Sequence, residues 1–293
     1  MSLQVAVVAA GEMGGGVGRK LVQHGLTVLT SLEGRSAASA ERAKRAGLTA
    51  ADDDVLAACD IFLSIVPPKD ALGLAERFSP AFQRAAPKPL YVDCNAVAPA
   101  TAQRIADVVA STGARFVDAG IIGPPPSDNQ RAATTLYASG DAATEFAALS
   151  PYGLTIRVLD APIGAASALK MSYAGLTKGF TALGTAMILG ASQAGVSEVL
   201  ARELSESQPH FLSFLQRSVP GMFPKAYRWI AEMEEIAAFT GDTPGGQGIY
   251  RGTADLYRHI ADGVAGDPEA QRDLAVLREF CTASLVAAAR KQV

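Results

Sequence analysis

The amino-terminal half of the chain alternates short β-branched runs with amphipathic runs of helical spacing. The strand-like runs lie at residues 3–10, 26–30, 60–66, 89–94, 115–119 and 134–139, and helical segments lie between several of them. Repeated strand–helix units of this length predict a doubly wound, mostly parallel sheet with right-handed crossovers. In such a sheet a ligand crevice opens at the carboxyl ends of the strands.

From residue 165 onward the pattern is helical to the end of the chain. It predicts helices at residues 165–194, 198–206, 210–217, 223–239, 252–263 and 268–291. The apolar positions of the first helix spread around much of its circumference, which predicts a buried helix. We therefore expect an α/β Rossmann domain over residues 1–162 and an all-α domain over residues 163–293.

The glycine-rich stretch at residues 241–252 has two interpretations. It is either a mobile lid that presents Tyr250 and Arg251 to a substrate or a connector between two helices. The connector is favoured somewhat, because no strand precedes the glycines as a phosphate-binding loop would need.

The composition narrows the class of protein. A chain of 293 residues with 49% apolar content can fill two cores. The net charge of -3, without a cluster of Lys and Arg, argues against nucleic acid and anionic membranes as partners. The longest apolar run, residues 179–195, contains four glycines and two threonines, so we expect a buried helix there and no membrane span.

Two further expectations concern the location of the protein and its cysteines and histidines. The first residues lead directly into a strand, without the basic start and apolar segment of a signal peptide, which predicts a cytoplasmic protein. Three cysteines and three histidines are scattered without CxxC or HExxH spacing. Neither a disulfide framework nor a metal site is therefore expected.

A glycine turn follows the first strand directly. Gly11, Glu12, Met13 and Gly14 lie between that strand and a helical segment, and a second strand follows within about 30 residues of the start. Such a turn lets the backbone approach a pyrophosphate, whose charge is met by amides at the helix N-terminus. Because Ala9 replaces the first glycine of the usual fingerprint, a turn without a ligand remains open.

The residues after the second strand bear on the type of cofactor. Ser31, Arg35 and Ser36 can together coordinate a 2′-phosphate, and the position where an acid is commonest holds Leu32. This favours NADP. Glu33 keeps NAD open, because a small change of register would place its carboxylate at the ribose.

Lys170 lies among small and apolar residues at the start of the long helix. Desolvation by Ala165, Ala166, Leu169 and Met171 would lower the pKa of its ammonium and make it an adjustable acid. Taken alone, however, a lysine on a helix is more often a solvated side chain.

Several stretches, taken together and in order, resemble the β-hydroxyacid dehydrogenases related to 6-phosphogluconate dehydrogenase. They are the turn GEMG, the sequence IVP at 65–67, DCNAVAP at 93–99, FVDA at 116–119 with Gly123, and Gly164 six residues before Lys170. The resemblance implies that Lys170 is the acid and base of an oxidoreductase that moves hydride between the cofactor and a hydroxy acid or its keto form. It also implies a homodimer formed through the carboxy-terminal helices.

The resemblance also suggests roles for other residues. Val66 and Pro67 would lie under the nicotinamide, Asn95 would orient a small-molecule substrate, and backbone groups near Ile122 and Gly123 would hold its acid end. Arg228 could anchor a carboxylate, although a surface role or an ion pair with Glu232 is at least as consistent with its position.

The chain departs from the family at positions that concern the substrate. Ala174 stands where the family usually has an asparagine, and Ile122-Gly123-Pro124 stands where it has serine-glycine-glycine. Glu232 and Met233 stand where it often has lysine-aspartate. Two alternatives therefore stay open: an imine reductase on the same scaffold, although such enzymes commonly place an acid or tyrosine where Lys170 stands, and an NADP-binding module without turnover.

Overall fold

The computed structural model of the protein describes residues 3–127 and 133–290. The chain divides into two compact units, Met1–Met171 and Ser172–Val293.

The first unit is built around one sheet of eight strands. The strands are β1 (Gln4–Val8), β2 (Thr27–Thr30), β3 (Thr49–Ala50), β4 (Ile61–Ser64), β5 (Leu90–Asp93), β6 (Arg115–Ile122), β7 (Thr135–Ser139) and β8 (Thr155–Val158). Their order in the sheet is β3-β2-β1-β4-β5-β6-β7-β8. Among the pairings of these described strands, only β6–β7 is antiparallel. The order reverses direction between β1 and β4, where doubly wound folds bind their ligands.

Helices connect most of these strands. They are α1 (Glu12–Gln23), α2 (Ala37–Arg45), α3 (Asp53–Ala57), α4 (Ala71–Arg84), α5 (Pro99–Ala110) and α6 (Ala143–Phe146), and a long α7 (Ala165–Gln193) follows the sheet. The predicted α/β Rossmann fold is confirmed.

Two apolar cores cover the two faces of the sheet, because alternate residues of each strand point to opposite sides. Val5 and Val7 of β1 belong to the core that contains Val17 and Leu21 of α1. The other face carries an aromatic cluster, in which the rings of Phe62, Phe78, Phe82, Tyr91 and Phe116 lie 4.7 to 5.9 Å from their neighbours. Burial on both faces explains why the central strands are almost continuously apolar.

Short elements at the edges of the sheet escaped the sequence pattern. The stretch from Thr49 to Ala58 contains β3 and, after it, α3. The Asp52 side chain caps α3 by accepting a hydrogen bond from the Val55 N–H at 2.9 Å. Neither α2 nor β8 was predicted from the sequence. Strand β8 has only four residues and is largely exposed, so it carries no buried apolar run.

The second unit is helical, as predicted. Beyond α7 it contains α8 (Ser197–Ser207), α9 (Pro209–Met222), α10 (Ala226–Phe239), α11 (Gly246–Ala265) and α12 (Pro268–Arg290). Helix α11 starts six residues earlier than expected, after Gly245 with its positive φ of 77°. Tyr250 and Arg251 therefore lie on a helix, and only the first part of the stretch, up to Gly245, connects α10 to α11.

Helix α7, which was predicted to be buried, exposes one apolar face within a single chain. Leu176, Phe180, Leu183 and Met187 are 48 to 59% exposed. Their spacing of four, three and four residues places them on one face of the helix. Among the described residues, no helix combines the length and the apolar character that crossing a membrane requires.

Candidate functional site

The glycine turn between β1 and α1 is built by close backbone packing. The Gly11 N–H donates to the Ala9 carbonyl at 2.9 Å, and the Gly15 N–H donates to the Gly11 carbonyl at 2.8 Å. A Cβ atom at Gly14 would overlap the Ala9 carbonyl oxygen, so only glycine lets the helix begin this close to the strand. Gly11 precedes the helix and has no side chain to cover its first amides, which can therefore meet an anionic phosphate.

A cavity of about 560 Å³ opens beside this turn. Its described walls include Gly11 and Glu12 of the turn, and three arginines that the sequence analysis did not single out: Arg19, Arg42 and Arg45. The Arg42 guanidinium donates to Ser39 Oγ at 2.9 Å and to the Ala10 carbonyl at 3.4 Å. The cavity therefore combines amide donors with three cations, which suits phosphate groups.

In the loop after β2, the acid Glu33 and the predicted phosphate ligands Arg35 and Ser36 have different surroundings. The Glu33 carboxylate accepts a hydrogen bond from Arg77, which also binds Asp53, each at 2.8 Å. Ser36 caps α2, with its hydroxyl accepting from the Ser39 N–H at 3.3 Å, and the Arg35 side chain is exposed nearby. Glu33 is thus engaged by an arginine, while Arg35 and Ser36 lie at a helix N-terminus.

Ser31, the third predicted phosphate ligand, is buried, and its hydroxyl accepts from Arg77 at 3.4 Å. Within the turn itself, Glu12 is exposed and Met13 packs partly against the core. The hydrogen bonds of Arg42 to the Ala10 carbonyl and to Ser39 Oγ bring the glycine turn and the N-terminus of α2 together.

Asn95 joins the carboxyl ends of β4 and β5. Its Oδ1 accepts a hydrogen bond from the Val66 N–H at 2.7 Å, and its Nδ2 donates to Ser64 Oγ at 2.8 Å and to Asp93 Oδ1. The residue is 2% exposed. Both ends of the amide predicted to orient a substrate are thus bonded within the domain, where they hold Val66 and the neighbouring, exposed Pro67 in place.

Two buried carboxyl groups lie side by side on β5 and β6. Asp93 and Asp118 are register partners on these strands, and both are fully buried. Burial, and then the charge of Asp118, raise the pKa of Asp93 from 3.8 to about 7. Asp93 Oδ2 has no hydrogen-bond partner among the described residues. Asp93 can therefore carry a proton near neutral pH.

Lys170 lies in the second turn of α7, and its side chain is half-buried. Ala166 and Met171 beside it are fully buried, whereas Leu169 is 37% exposed. A Cβ at Gly120 of β6 would stand 2.9 Å from the Lys170 Cβ. The backbone of the first two turns of α7 thus lies directly against β6. This contact determines the position of the Lys170 Cβ.

The predicted substrate residues fall into two groups. Ile122 ends β6 and Gly123 follows it. Gly123 has a positive φ of 123°, and the Ala133 carbonyl oxygen would lie only 2.7 Å from a Cβ at this position. Arg228 belongs to α10 in the second unit, where it is exposed and lies 5.7 Å from the centroid of the Tyr227 ring. Glu232, its expected ion-pair partner, binds the Lys178 ammonium, which also lies 4.9 Å from the centroid of the Trp229 ring.

Metal-binding residue types do not cluster in the part of the chain that the structure describes. No group of three or more His, Cys, Asp or Glu side chains there could hold a metal ion.

Two family models match the chain. The model described as the NAD binding domain of 6-phosphogluconate dehydrogenase matches residues 4–152, just over half of the chain. A domain of unknown function (DUF1932) matches residues 191–260. An uncharacterized 28.5 kDa protein in the 7S RNA 5′ region of Methanothermus fervidus is 28% identical over 238 residues, which are 80% of this chain and 90% of the relative.

Solved structures share the fold. A conserved protein of unknown function, described as structurally similar to 3-hydroxyacid dehydrogenases, is 28% identical with a TM-score of 0.68 over 92% of this chain and 99% of its own. The 3-hydroxyisobutyrate dehydrogenase of Mycobacterium tuberculosis with L-serine is 17% identical with a TM-score of 0.69, over 96% and 99%. An imine reductase of Myxococcus stipitatus with NADP+ is 21% identical with a TM-score of 0.51, over 96% and 99%, and a variant of it is described with NAD+.

Proposed function

The chain belongs to the 6-phosphogluconate dehydrogenase-like family, and from that premise we propose that it is an NADP-dependent oxidoreductase acting on a hydroxy acid or its keto form. The observation that carries the proposal is the position of Lys170. Its Cβ lies directly over Gly120, in a unit that also contains the glycine turn. A lysine held this firmly can serve as a directed acid and base.

The residues around the turn fit a nicotinamide dinucleotide. Amides at the start of α1 would hold the pyrophosphate, and Val66 and Pro67 would line the nicotinamide side. NADP is preferred to NAD because Arg35, Ser36 and Arg42 are available for a 2′-phosphate, while Arg77 neutralises Glu33. When bound, the cofactor supplies the acceptor or the donor of hydride.

Lys170 handles the proton that accompanies hydride transfer. In oxidation the neutral amine accepts the proton of the substrate hydroxyl, and in reduction the ammonium returns a proton to the carbonyl oxygen. The backbone near Ile122 and Gly123 would hold the acid end of the substrate. A carboxylate-binding role for Arg228 stays a prediction.

Reduction of a cyclic imine is the second candidate. Ile122 replaces a polar residue of the family, and Ala174 is buried where an amide is usual, so fewer polar groups are available to hold a carboxylate. Lys170 itself favours hydroxy acids. A third outcome, a module that binds NADP without turnover, would leave the lysine without a catalytic role.

A panel of hydroxy acids, keto acids and cyclic imines, followed by NADPH absorbance, tests the proposal. Lys170→Met should lower turnover of the best substrate by about 100-fold while leaving NADPH affinity nearly unchanged, because the lysine moves a proton and does not hold the cofactor. Turnover of imines alone would select the second candidate. Unchanged turnover in Lys170→Met would remove the lysine from the mechanism.

We also propose that two copies of the chain associate through α7. Its exposed apolar face borders a cavity of about 480 Å³ whose lining includes Ile249 and Tyr250 of α11. A contiguous apolar surface of this kind is typical of a subunit interface.

A further inference from the structure

The N-terminus of α7 is capped from the sheet. The N–H groups of Gly164 and Ser167 donate to Asp118 Oδ2 at 2.9 and 3.0 Å. The Ala166 N–H donates to Ser139 Oγ at 3.1 Å. Helix caps usually come from the residue just before the helix, whereas these acceptors lie on β6 and β7. The start of α7 is therefore tied to the sheet by side chains distant in sequence.

Asp118 is the centre of this anchor. Besides the two amides, it accepts hydrogen bonds from the hydroxyls of Ser139 at 3.0 Å and Ser167 at 2.6 Å. Asp118 and Ser139 are register partners on β6 and β7, and both are fully buried. A carboxylate at a helix N-terminus is further stabilised by the aligned peptide dipoles. Four donors converge on one buried group, so its loss would leave several of them unsatisfied.

The same strand also determines how closely the first two turns of α7 approach the sheet. Gly120 lies two residues beyond Asp118 and therefore on the same face of β6. A Cβ at Gly120 would stand 2.8 Å from the Ala166 carbonyl oxygen and 2.9 Å from the Lys170 Cβ. Asp118 holds the first turn of α7, and Gly120 lets the second turn sit against the strand.

We infer that Asp118, assisted by Ser139, is a positioning residue for Lys170. It acts on the lysine through the first turn of α7, and its own side chain is fully buried. The inference rests on the proposed function only in taking Lys170 as the acid and base. The anchoring itself is independent of that role, because its contacts are between the sheet and the helix backbone.

Three variants test the anchor: Asp118→Asn, Ser139→Ala and the control Thr112→Val. Asparagine turns an N–H group toward donors that need an acceptor, and alanine removes the acceptor of the Ala166 amide. Thr112 is also buried, and its hydroxyl donates to the Val109 carbonyl at 2.6 Å after α5, so its loss weakens the same domain without removing an acceptor from α7.

Two measurements do not depend on catalysis. Hydrogen exchange of the peptide that spans residues 164–170 should be about 10-fold faster in Asp118→Asn and faster to a lesser degree in Ser139→Ala, because their amides lose acceptors. The rate and pH dependence of Lys170 acetylation by acetic anhydride, read by mass spectrometry against the exposed Lys69, should change in the same variants. Thr112→Val should match the wild type in both.

Activity then links the anchor to the chemistry. Asp118→Asn should lower kcat for the best substrate of the panel by about 10-fold or more, with NADPH affinity unchanged, because small displacements of a catalytic group are costly. The inference is overturned if exchange and acetylation stay at wild-type rates, or if Thr112→Val alters them equally. If Asp118→Asn does not fold, the exchange and acetylation rates of Ser139→Ala test the inference instead. If Lys170→Met retains activity while exchange responds as expected, the proposed function fails and the anchor stands.

Discussion

Gly120 and Lys170 are in backbone-level contact: a methyl group on Gly120 would stand 2.9 Å from the Lys170 Cβ and 2.8 Å from the Ala166 carbonyl oxygen. Side chains in folded proteins do not pack this tightly, so one of the two elements would have to move. The glycine thus leaves the space in which the lysine-bearing turn of α7 rests on β6.

Gly120→Ala should therefore impair catalysis selectively. The added methyl pushes the second turn of α7 away from the sheet, and a displacement near 1 Å can cost about 100-fold in rate. We expect kcat to fall by at least about 10-fold in steady-state kinetics, while NADPH affinity stays unchanged because the glycine turn is untouched.

Gly73→Ala is the matched control for this substitution. Gly73 is exposed on α4, and no atom lies within 4 Å of the place that an added methyl group would occupy. The variant should retain wild-type kinetics and gain up to about 1 kcal/mol of stability, as glycine is a poor helix former. Equal kinetics in both variants would contradict a positioning role for Gly120.

Arg42 should decide much of the preference between cofactors. In Arg42→Ala, NADPH should bind about 10-fold more weakly or worse, and NADH nearly as in the wild type, because only NADPH carries the 2′-phosphate that a guanidinium would contact. Calorimetric titration with each nucleotide measures both affinities. Arg104→Ala on α5, outside the lining of the cavity, is the control and should bind both as the wild type does.

The wild type should also be stabilised more by NADPH than by NADH at equal concentration, since ligand binding to the native state raises the melting temperature more as the affinity increases. Equal shifts in Tm would contradict the preference for NADP.

Asp93 predicts a pH dependence of stability. Its folded-state pKa is raised from 3.8 to about 7, mainly by burial, so between these values the native state holds a proton that the unfolded chain has released. Stability from this group is fully present below the unfolded-state pKa and is lost as pH rises through about 7.

Asp93→Asn cannot titrate and should lack this loss. Urea unfolding at pH 5 and pH 8 should show the free energy of unfolding of the variant rising relative to that of the wild type by about 2 to 3 kcal/mol between the two conditions. A difference between the two proteins that does not change with pH would show that Asp93 ionises at its ordinary pKa.

The apolar face of α7 predicts an oligomer. Sedimentation equilibrium should find a dimer of the wild type, and Leu183→Glu should dissociate it, because a charge would be buried in an apolar interface. Val55→Glu on α3 changes an exposed apolar residue of the first unit in the same way and should leave the dimer intact. A monomeric wild type would exclude association through this face.

The sequence by itself predicted the Rossmann sheet, the helical second half, the glycine turn and the family. These features depend on local signals: alternating and continuous apolar runs, glycine where the backbone must pack closely, and helical spacing after residue 165. The β8 edge of the sheet was missed because this strand has only four residues and is largely exposed, which makes its local signal weak.

Only the tertiary structure revealed how the candidate site is supported. Arg42 lies on a helix that the pattern did not predict, and the Asn95 amide is bonded to Val66 and Asp93. Asp118 caps a helix that begins 47 residues later along the chain. Contacts between a side chain and a distant backbone amide leave no spacing to recognise in the sequence, because they exist only once the sheet has brought the two segments together.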